Sequence, residues 1–418
     1  MKRIICALLS ISLILGILAF TVSCGRVIII DKNGGSTVQP DSSLSDDTSA
    51  DSGDLPSFIE NGAGEVDYST LSPEARGILS AVRIVAHFER YIGYGQTSLS
   101  KYKKESSGVI YKLDREKGDA YIITNFHAVY HKDAISTNHV SNNIELFLYG
   151  QEDASYSIPA TYIGGSLTSE IAVLKVSANE VIKHSHALAA TLANSNEINV
   201  YDNVFAVGNP EGAGLSITSG IISVDHDELS VIAADGKTTL KLRAIRTSAA
   251  INEGNSGGGL FNENGELCGI VVAKKTGEEI DNIAYAIPAN LAKLMAEIMI
   301  ETYSGSPAVG FYKYQLGITM DPSAMGVIIV DGKLVKVERV AVATISSGSV
   351  LEGSVAVGDV INSIKVDGKT TEVTRVHNVI EAMLEARVGS TVTLSLTRGE
   401  LTFEKTITVA EAHALFVQ

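Results

Sequence analysis

The sequence is short of cysteine and of clustered basic residues, and each shortage excludes a class of protein. Three cysteines occur in 418 residues, Cys6, Cys24 and Cys268, and no two of them form a CxxC pair. They cannot staple a disulfide framework or close a structural zinc site. None of the nine histidines falls in an HExxH pattern, so the zinc-peptidase signature is missing as well. Lysine and arginine number 33 against 48 acidic residues, a net charge of −15. They form no stripe or cluster, which excludes a generic nucleic-acid binder. Proline is scarce at eight, whereas 38 glycines and abundant Val, Ile and Thr lean towards β-structure. The length predicts two or three folded units.

The N-terminus reads as an address. Lys2 and Arg3 precede an apolar run from Ile4 to Phe20, followed by Thr21, Val22, Ser23 and Cys24. A positive start, an apolar segment and small residues before a cut site form an export signal. The segment ending in Cys24 resembles a bacterial lipobox, which implies lipidation of that cysteine, although Thr21 departs from the usual leucine. The alternative is an uncleaved anchor helix, because the run approaches the ~20 residues that cross a bilayer. Both alternatives put the rest of the chain outside the cytoplasm and tether it to a membrane. Residues 31–66 follow with eight acids against the single base Lys32. So acidic and polar a stretch buries too little to offset its ordering entropy and reads as a solvated spacer.

From about Leu71 the pattern turns globular. Ser72-Pro73-Glu74 predicts a helix start, with Ser72 as N-cap and Pro73 at the first helical position. Short apolar runs then alternate with turn residues: Val82–Phe88, Gly108–Leu113, Ala120–Thr124, Ile144–Tyr149, Ile171–Val176, Val204–Val207 and Ile217–Val224. Many short β-branched strands indicate an all-β barrel or sandwich. Leu291, Leu294, Met295 and Ile298 recur at helical spacing and predict a helix over 289–301 that closes this domain near residue 303.

Three stretches carry chemistry. ITNFHAV places His127 just after a strand, SEIAVLKV places Glu170 just before one, and TSAAINEGNSGGGLFN places Ser256 in a glycine-rich turn. A serine hydroxyl is a weak nucleophile until a base takes its proton, and the base must be oriented by an acid. The backbone N–H groups of Gly254 and Ser256 can converge on a developing oxyanion only where side chains do not crowd the loop. Histidine, acid and serine in that order, 43 and 86 residues apart, fit one barrel supplying His127 and Glu170 and a second supplying Ser256. Of the other histidines, His184 and His186 read as exposed loop residues, and Cys268 reads as an inert buried thiol.

Seven blocks in order, SSGVI at Ser106–Ile110, TNFHAV at Thr124–Val129, EIAVLKV at Glu170–Val176, AVGNPEG at Ala206–Gly212, ITSGIIS at Ile217–Ser223, AINEGNSGGGLFN at Ala250–Asn262 and IAYAIPANL at Ile283–Leu291, resemble the HtrA/Deg-type trypsin-like serine proteases. The resemblance implies a chymotrypsin-like, all-β protease domain of two six-stranded β-barrels. It also implies His127 as general base, Ser256 as nucleophile and Gly254 with Ser256 as oxyanion donors. Glu170 stands where the family usually has aspartate, and its extra methylene must be absorbed by the backbone or by the histidine. Beyond residue 310, Gln315-Leu316-Gly317-Ile318, a strand at Leu334–Val342, the block GSVAVGDVINSIKVDG and a helical segment over 376–387 resemble a small α+β PDZ domain of the bacterial type. There Leu316, Gly317 and Ile318 are expected to hold a peptide carboxylate, and the peptide adds as a strand; His377 and Ile380 are weaker candidates for the groove wall.

The expected division is therefore a lipoprotein-type signal or anchor at 1–24, an acidic tether at 25–70, the protease domain at 71–303, a linker at 304–309 and the PDZ domain at 310–418. The resemblance implies an extracytoplasmic, membrane-tethered serine endopeptidase of protein quality control that cleaves misfolded or unfolded proteins. It implies a homotrimer that binds hydrophobic C-terminal peptides and needs no metal or organic cofactor. Ala250, six residues before Ser256, is not the aspartate of a trypsin-like preference for basic residues, and small or medium aliphatic residues are expected at the cut. The rival reading is a binding or chaperone-like protein on a protease fold crippled by Glu170.

Overall fold

The computed structural model describes residues 67–92, 98–151, 153–274 and 283–417. The expected signal or anchor, and the expected tether up to residue 66, lie outside them. All the described residues belong to one contact unit, 55–418. The expected tether ends a little early: Tyr68–Thr70 form a single 3₁₀ turn capped by the Asp67 side chain. The Tyr68 hydroxyl meets His186 Nδ1 at 3.0 Å and accepts from Arg115 at 3.1 Å.

Helix α1 (Pro73–Leu79) begins as its sequence demands, with the Ser72 side chain accepting from the Ala75 N–H and proline at the start. Strands β1 (Ala81–Ile92), β2 (Ser98–Asp114) and β3 (Asp119–Thr124) lead to a one-turn helix α2 (Phe126–Val129). Then come β4 (Asn143–Leu148), β5 (Ile158–Ser166), β6 (Ile171–Val176) and the short α3 (Glu180–His184). The strands pair in the order β5-β4-β1-β2-β3-β6, and β6 pairs again with β5. Val82, Ile84, Ile110, Ile122, Leu146, Ile158 and Leu174 are buried together inside this set.

Strands β7 (Asn203–Gly208), β8 (Ser216–Ile232), β9 (Thr239–Thr247), β10 (Gly259–Asn262), β11 (Leu267–Lys274) and β12 (Ala284–Pro288) form a closed barrel ordered β10-β11-β12-β9-β8-β7. Its interior holds Val204, Ile222, Ile245, Leu260 and Val271. The other face of each set packs on its neighbour: Val109, Ile123 and Val173 from the first share a core with Phe205, Phe261 and Ile270 from the second. Helix α4 (Ala289–Thr302) joins that shared core through Ala292, Met295, Ala296, Ile298 and Met299. Leu291 and Leu294, expected inside from spacing, are only partly buried, and the small alanines take the close-packed face instead.

The chain does not run free after α4 as expected of 304–309. Ala308–Val309 form β13, which adds parallel to β5, and Tyr162 donates to the Ala308 carbonyl at 2.8 Å. The C-terminal unit comprises β14 (Phe311–Tyr314), β15 (Ile318–Val330), β16 (Lys333–Ile345), β17 (Val360–Val366), β18 (Lys369–Glu372), helix α5 (Val376–Glu385), β19 (Thr391–Arg398), β20 (Leu401–Thr408) and β21 (Ala414–Val417). Its main sheet runs β15-β16-β17-β19-β20, leaving β15 at an edge. The β15–β16 hairpin is far longer than the strand expected at Leu334–Val342. Asp331 and Gly332 turn it with φ of 49° and 78°, the two-residue left-handed geometry that matches strand twist.

Helix α5 leans on the closed barrel. Arg375, its N-cap, donates to Asp225 at 2.6 Å, Glu381 takes Arg243 and Asn196, and the rings of His226 and His377 lie 4.8 Å apart. Burial, with Arg243 close by, pushes His377 down to about 2 and lowers His226 from its ordinary value. His377 therefore lies at the contact with the closed barrel, because its helix turns that face towards His226 on β8 and Arg243 on β9.

Candidate active site

Glu170 ends the turn that leads into β6, with its side chain buried and its backbone left-handed at φ 55°. A residue with a Cβ rarely takes that conformation. Its carbonyl accepts from Asn125 Nδ2 at 3.0 Å, which fixes the turn against the segment carrying His127. Glu170 Oε2 lies 2.8 Å from His127 Nδ1 and accepts from the His127 N–H at 3.4 Å. An ionised carboxylate only accepts, so this contact puts the proton on Nδ1 and leaves Nε2 with its lone pair. The extra methylene of the glutamate is thus absorbed in a conformation that still brings the carboxylate to the ring.

Ser256 stands before β10, in the closed barrel. The next residue, Gly257, has φ 85°, and a Cβ there would lie 2.2 Å from the Ser107 carbonyl and from Thr124 Oγ1. Glycine is required for the serine turn to close on the strand end that leads to His127. The serine turn is also held by Ser107, whose N–H donates to the Ser256 carbonyl at 2.9 Å. Among the described residues no hydrogen bond joins Ser256 to His127; the hydroxyl donates to the Val272 carbonyl at 3.3 Å.

The two peptides that flank the Gly254 Cα are each held by a hydrogen bond. The Glu211 N–H donates to the Glu253 carbonyl at 2.8 Å, and Ser107 Oγ donates to the Gly254 carbonyl at 2.7 Å. In a trans peptide C=O and N–H point oppositely, so the Gly254 N–H is directed away from Glu211. With φ 93° and a hypothetical Cβ 2.1 Å from the Asn209 carbonyl, position 254 admits only glycine.

Geometrically, this is an acid-oriented imidazole beside a serine turn whose Glu253, Gly254 and Ser256 carbonyls are held by hydrogen bonds. Residues 106–270 match a family model described as a trypsin-like peptidase domain. The chain is 29% identical over 297 residues to the serine protease Do-like HtrA of Bacillus subtilis (strain 168), covering 70% of this chain and 60% of that one. It is 33% identical over 215 residues to the periplasmic serine endoprotease DegP of Escherichia coli (strain K12), covering 50% and 38%. The chain is similar to the HtrA-type serine proteases. It spans between about two fifths and three fifths of the length of these curated relatives. A solved structure titled HtrA-type protease AlgW with tripeptide matches with a TM-score of 0.50 and 23% identity, over 81% of this chain and 95% of that one, which is a likeness of fold.

Within this chain, the motifs of the sequence come together unevenly. His127 and Glu170 are in contact, and Ser256 and Gly254 share one turn. Ser107, Asn125 and Glu211 were not singled out, although each lies in or beside a quoted block; their partners are 147, 45 and 42 residues away along the chain. In the C-terminal unit Leu316 is buried and its carbonyl accepts from Ser349 Oγ at 2.7 Å. Gly317 has φ 70°, and Ile318 opens the edge strand β15. Cys268 is buried, and burial pushes its thiol up to about 12. His184 and His186 are exposed, and no cluster of metal-ligating side chains occurs among the described residues. No described helix is long and apolar enough to cross a membrane; Cys24 lies outside the described residues.

Proposed function

We propose that this chain is an extracytoplasmic, membrane-tethered serine endopeptidase that cleaves misfolded or unfolded proteins. The observation that carries the reading is the 2.8 Å contact between Glu170 Oε2 and His127 Nδ1, beside a serine turn pinned to the same strand end. His127 Nε2 takes the proton of Ser256 as Oγ attacks the scissile carbonyl, and the N–H groups of Gly254 and Ser256 receive the oxyanion. The imidazolium then protonates the leaving amine. Water, deprotonated by His127, releases the acyl group and regenerates Ser256.

The hold of Glu211 on the Glu253 carbonyl supports a Gly254 N–H available to the oxyanion. The second β5–β6 pairing supports reading the first six strands as a second barrel. The edge position of β15 and the glycine turn at Gly317 support a PDZ groove, in which a hydrophobic C-terminus pairs with Ile318 while Leu316, Gly317 and Ile318 face its carboxylate. The names of the relatives, one of them periplasmic, support an extracytoplasmic placement, with Cys24 or an uncleaved helix as tether. Assembly as a homotrimer rests on family likeness.

One observation favours the rival reading of an impaired, chaperone-like protein: Ser256 Oγ donates to Val272 and not to His127. Catalytic hydrogen bonds are often loose without substrate, and casein digestion decides between the two. Wild type is expected to cut and Ser256→Ala is not. If neither cuts, even with a hydrophobic C-terminal peptide added, the rival stands.

A further inference from the structure

Strand β2 carries Lys101, Lys103 and Lys104. Lys101 and Lys103 do what surface lysines do, pairing with Glu89 at 3.2 Å and Glu105 at 2.7 Å. Lys104 turns inward over the Phe88 ring, 5.9 Å from its centre, and makes no ion pair among the described residues. Its ammonium instead donates to two backbone carbonyls, His127 O at 3.1 Å and Tyr130 O at 2.8 Å. These carbonyls bracket the end of the one-turn helix α2. Burial pulls the ammonium below its ordinary value while the charge of Glu170 props it up.

The polar groups of His127 can now be counted. Its N–H and Nδ1 both go to Glu170 Oε2, and its carbonyl goes to Lys104. Nε2 alone is left for chemistry. Buried Phe126 and Val129, with the Ser141 N–H on the Val129 carbonyl at 2.8 Å, hold the rest of the turn. The ammonium adds the side-chain tie at the His127 and Tyr130 carbonyls.

Resting on the protease reading above, we propose that Lys104 is a positioning residue for the general base: it anchors the carbonyls of His127 and Tyr130 so that the ring meets Ser256 in one orientation. It touches neither substrate nor reacting atoms. A lysine suits the task because one ammonium offers three donors and accepts none, and its charge lies over the Phe88 ring.

The test uses the full chain with Lys104→Met, which keeps the stem and removes the donors, and Lys104→Arg, which restores donors. Turnover on a fluorogenic peptide is normalised to the fraction of Ser256 labelled to completion by a fluorophosphonate, and a thermal melt is recorded. The expected result for Lys104→Met is a fall in kcat per labelled site on the order of 100-fold, the cost of a misplaced catalytic group. KM stays within about twofold, because no substrate contact is lost. Lys104→Arg recovers most of the loss. A merely stabilising lysine would lower the melting temperature and the labelled fraction but leave kcat per labelled site at the wild-type value, which overturns the proposal. Equal impairment of both variants overturns it too. If wild type itself does not cut, or Ser256→Ala still cuts, the protease reading fails first, and that outcome is separate from any Lys104 result.

Discussion

Replacing Glu170 by aspartate is the sharpest probe of the site, because the usual family residue is predicted here to do harm. Shortening the side chain by one C–C bond, about 1.5 Å, withdraws the carboxylate from its 2.8 Å contact with His127 Nδ1. If the backbone stays in place, the gap grows to roughly 4 Å, beyond hydrogen-bond reach. A hydrogen bond to a charged group contributes about 1.5–3 kcal/mol, so kcat should fall roughly ten- to a hundred-fold. The fold should not suffer, since aspartate tolerates the left-handed backbone of position 170 at least as well as glutamate does. Glu170→Gln, which leaves an amide in place of the charged acceptor, should be worse, losing on the order of 10⁴-fold as when a triad acid is neutralised elsewhere. The assay is kcat on a fluorogenic peptide per fluorophosphonate-labelled serine, with a melt to confirm folding. Glu170→Asp activity equal to or above wild type would refute the reasoning, because it would mean that the extra methylene is a handicap and not an adapted fit.

Gly254→Ala should cost about 10²–10³ in kcat, since its Cβ would collide with the Asn209 carbonyl and turn the oxyanion donor; retention of full activity would show that the donor lies elsewhere. The contact of α5 with the closed barrel should be acid-labile. Both His226 and His377 are lowered in the docked state, so the docked form binds fewer protons. Its stability is then complete above about pH 6.5 and lost as pH falls below that value. His377 contributes up to about tenfold in docking per pH unit, and the less buried His226 contributes less. Proteolytic nicking between the two units, compared at pH 7.5 and 5.5, checks this, and His377→Leu should flatten the dependence. Cys268, buried with its thiol pushed up to about 12, should react with a maleimide only after denaturation, as peptide mapping would reveal; labelling in the folded state would contradict the packing.

What the sequence by itself determined is what short-range physics writes. Ser72 and Pro73 start α1 because a side-chain acceptor and a ready-made φ belong at that point. The run Ile171–Val176 is β6 to the residue, because a short apolar run broken only by Lys175 and buried on both faces is too short for a helix and suits a core strand. The motif order likewise announced that His127 and Glu170 would come from one set of strands and Ser256 from the other. The hairpin of β15 and β16 was undercounted because its distal half, from Met325 to Leu334, is exposed and apolar periodicity assumes a buried face.

Only the tertiary structure decided how glutamate serves where aspartate is usual, through a left-handed backbone at Glu170 and the Asn125 amide that locks it. It also revealed Ser107, whose N–H, carbonyl and hydroxyl tie the serine turn, Thr124 and Gly254 together across the two strand sets. It assigned His377 to a tilted ring contact with His226 of the closed barrel, which helical spacing could not foresee. Each of these rests on hydrogen bonds or packing between residues tens to more than a hundred positions apart, and no local pattern of side chains encodes a partner at that distance.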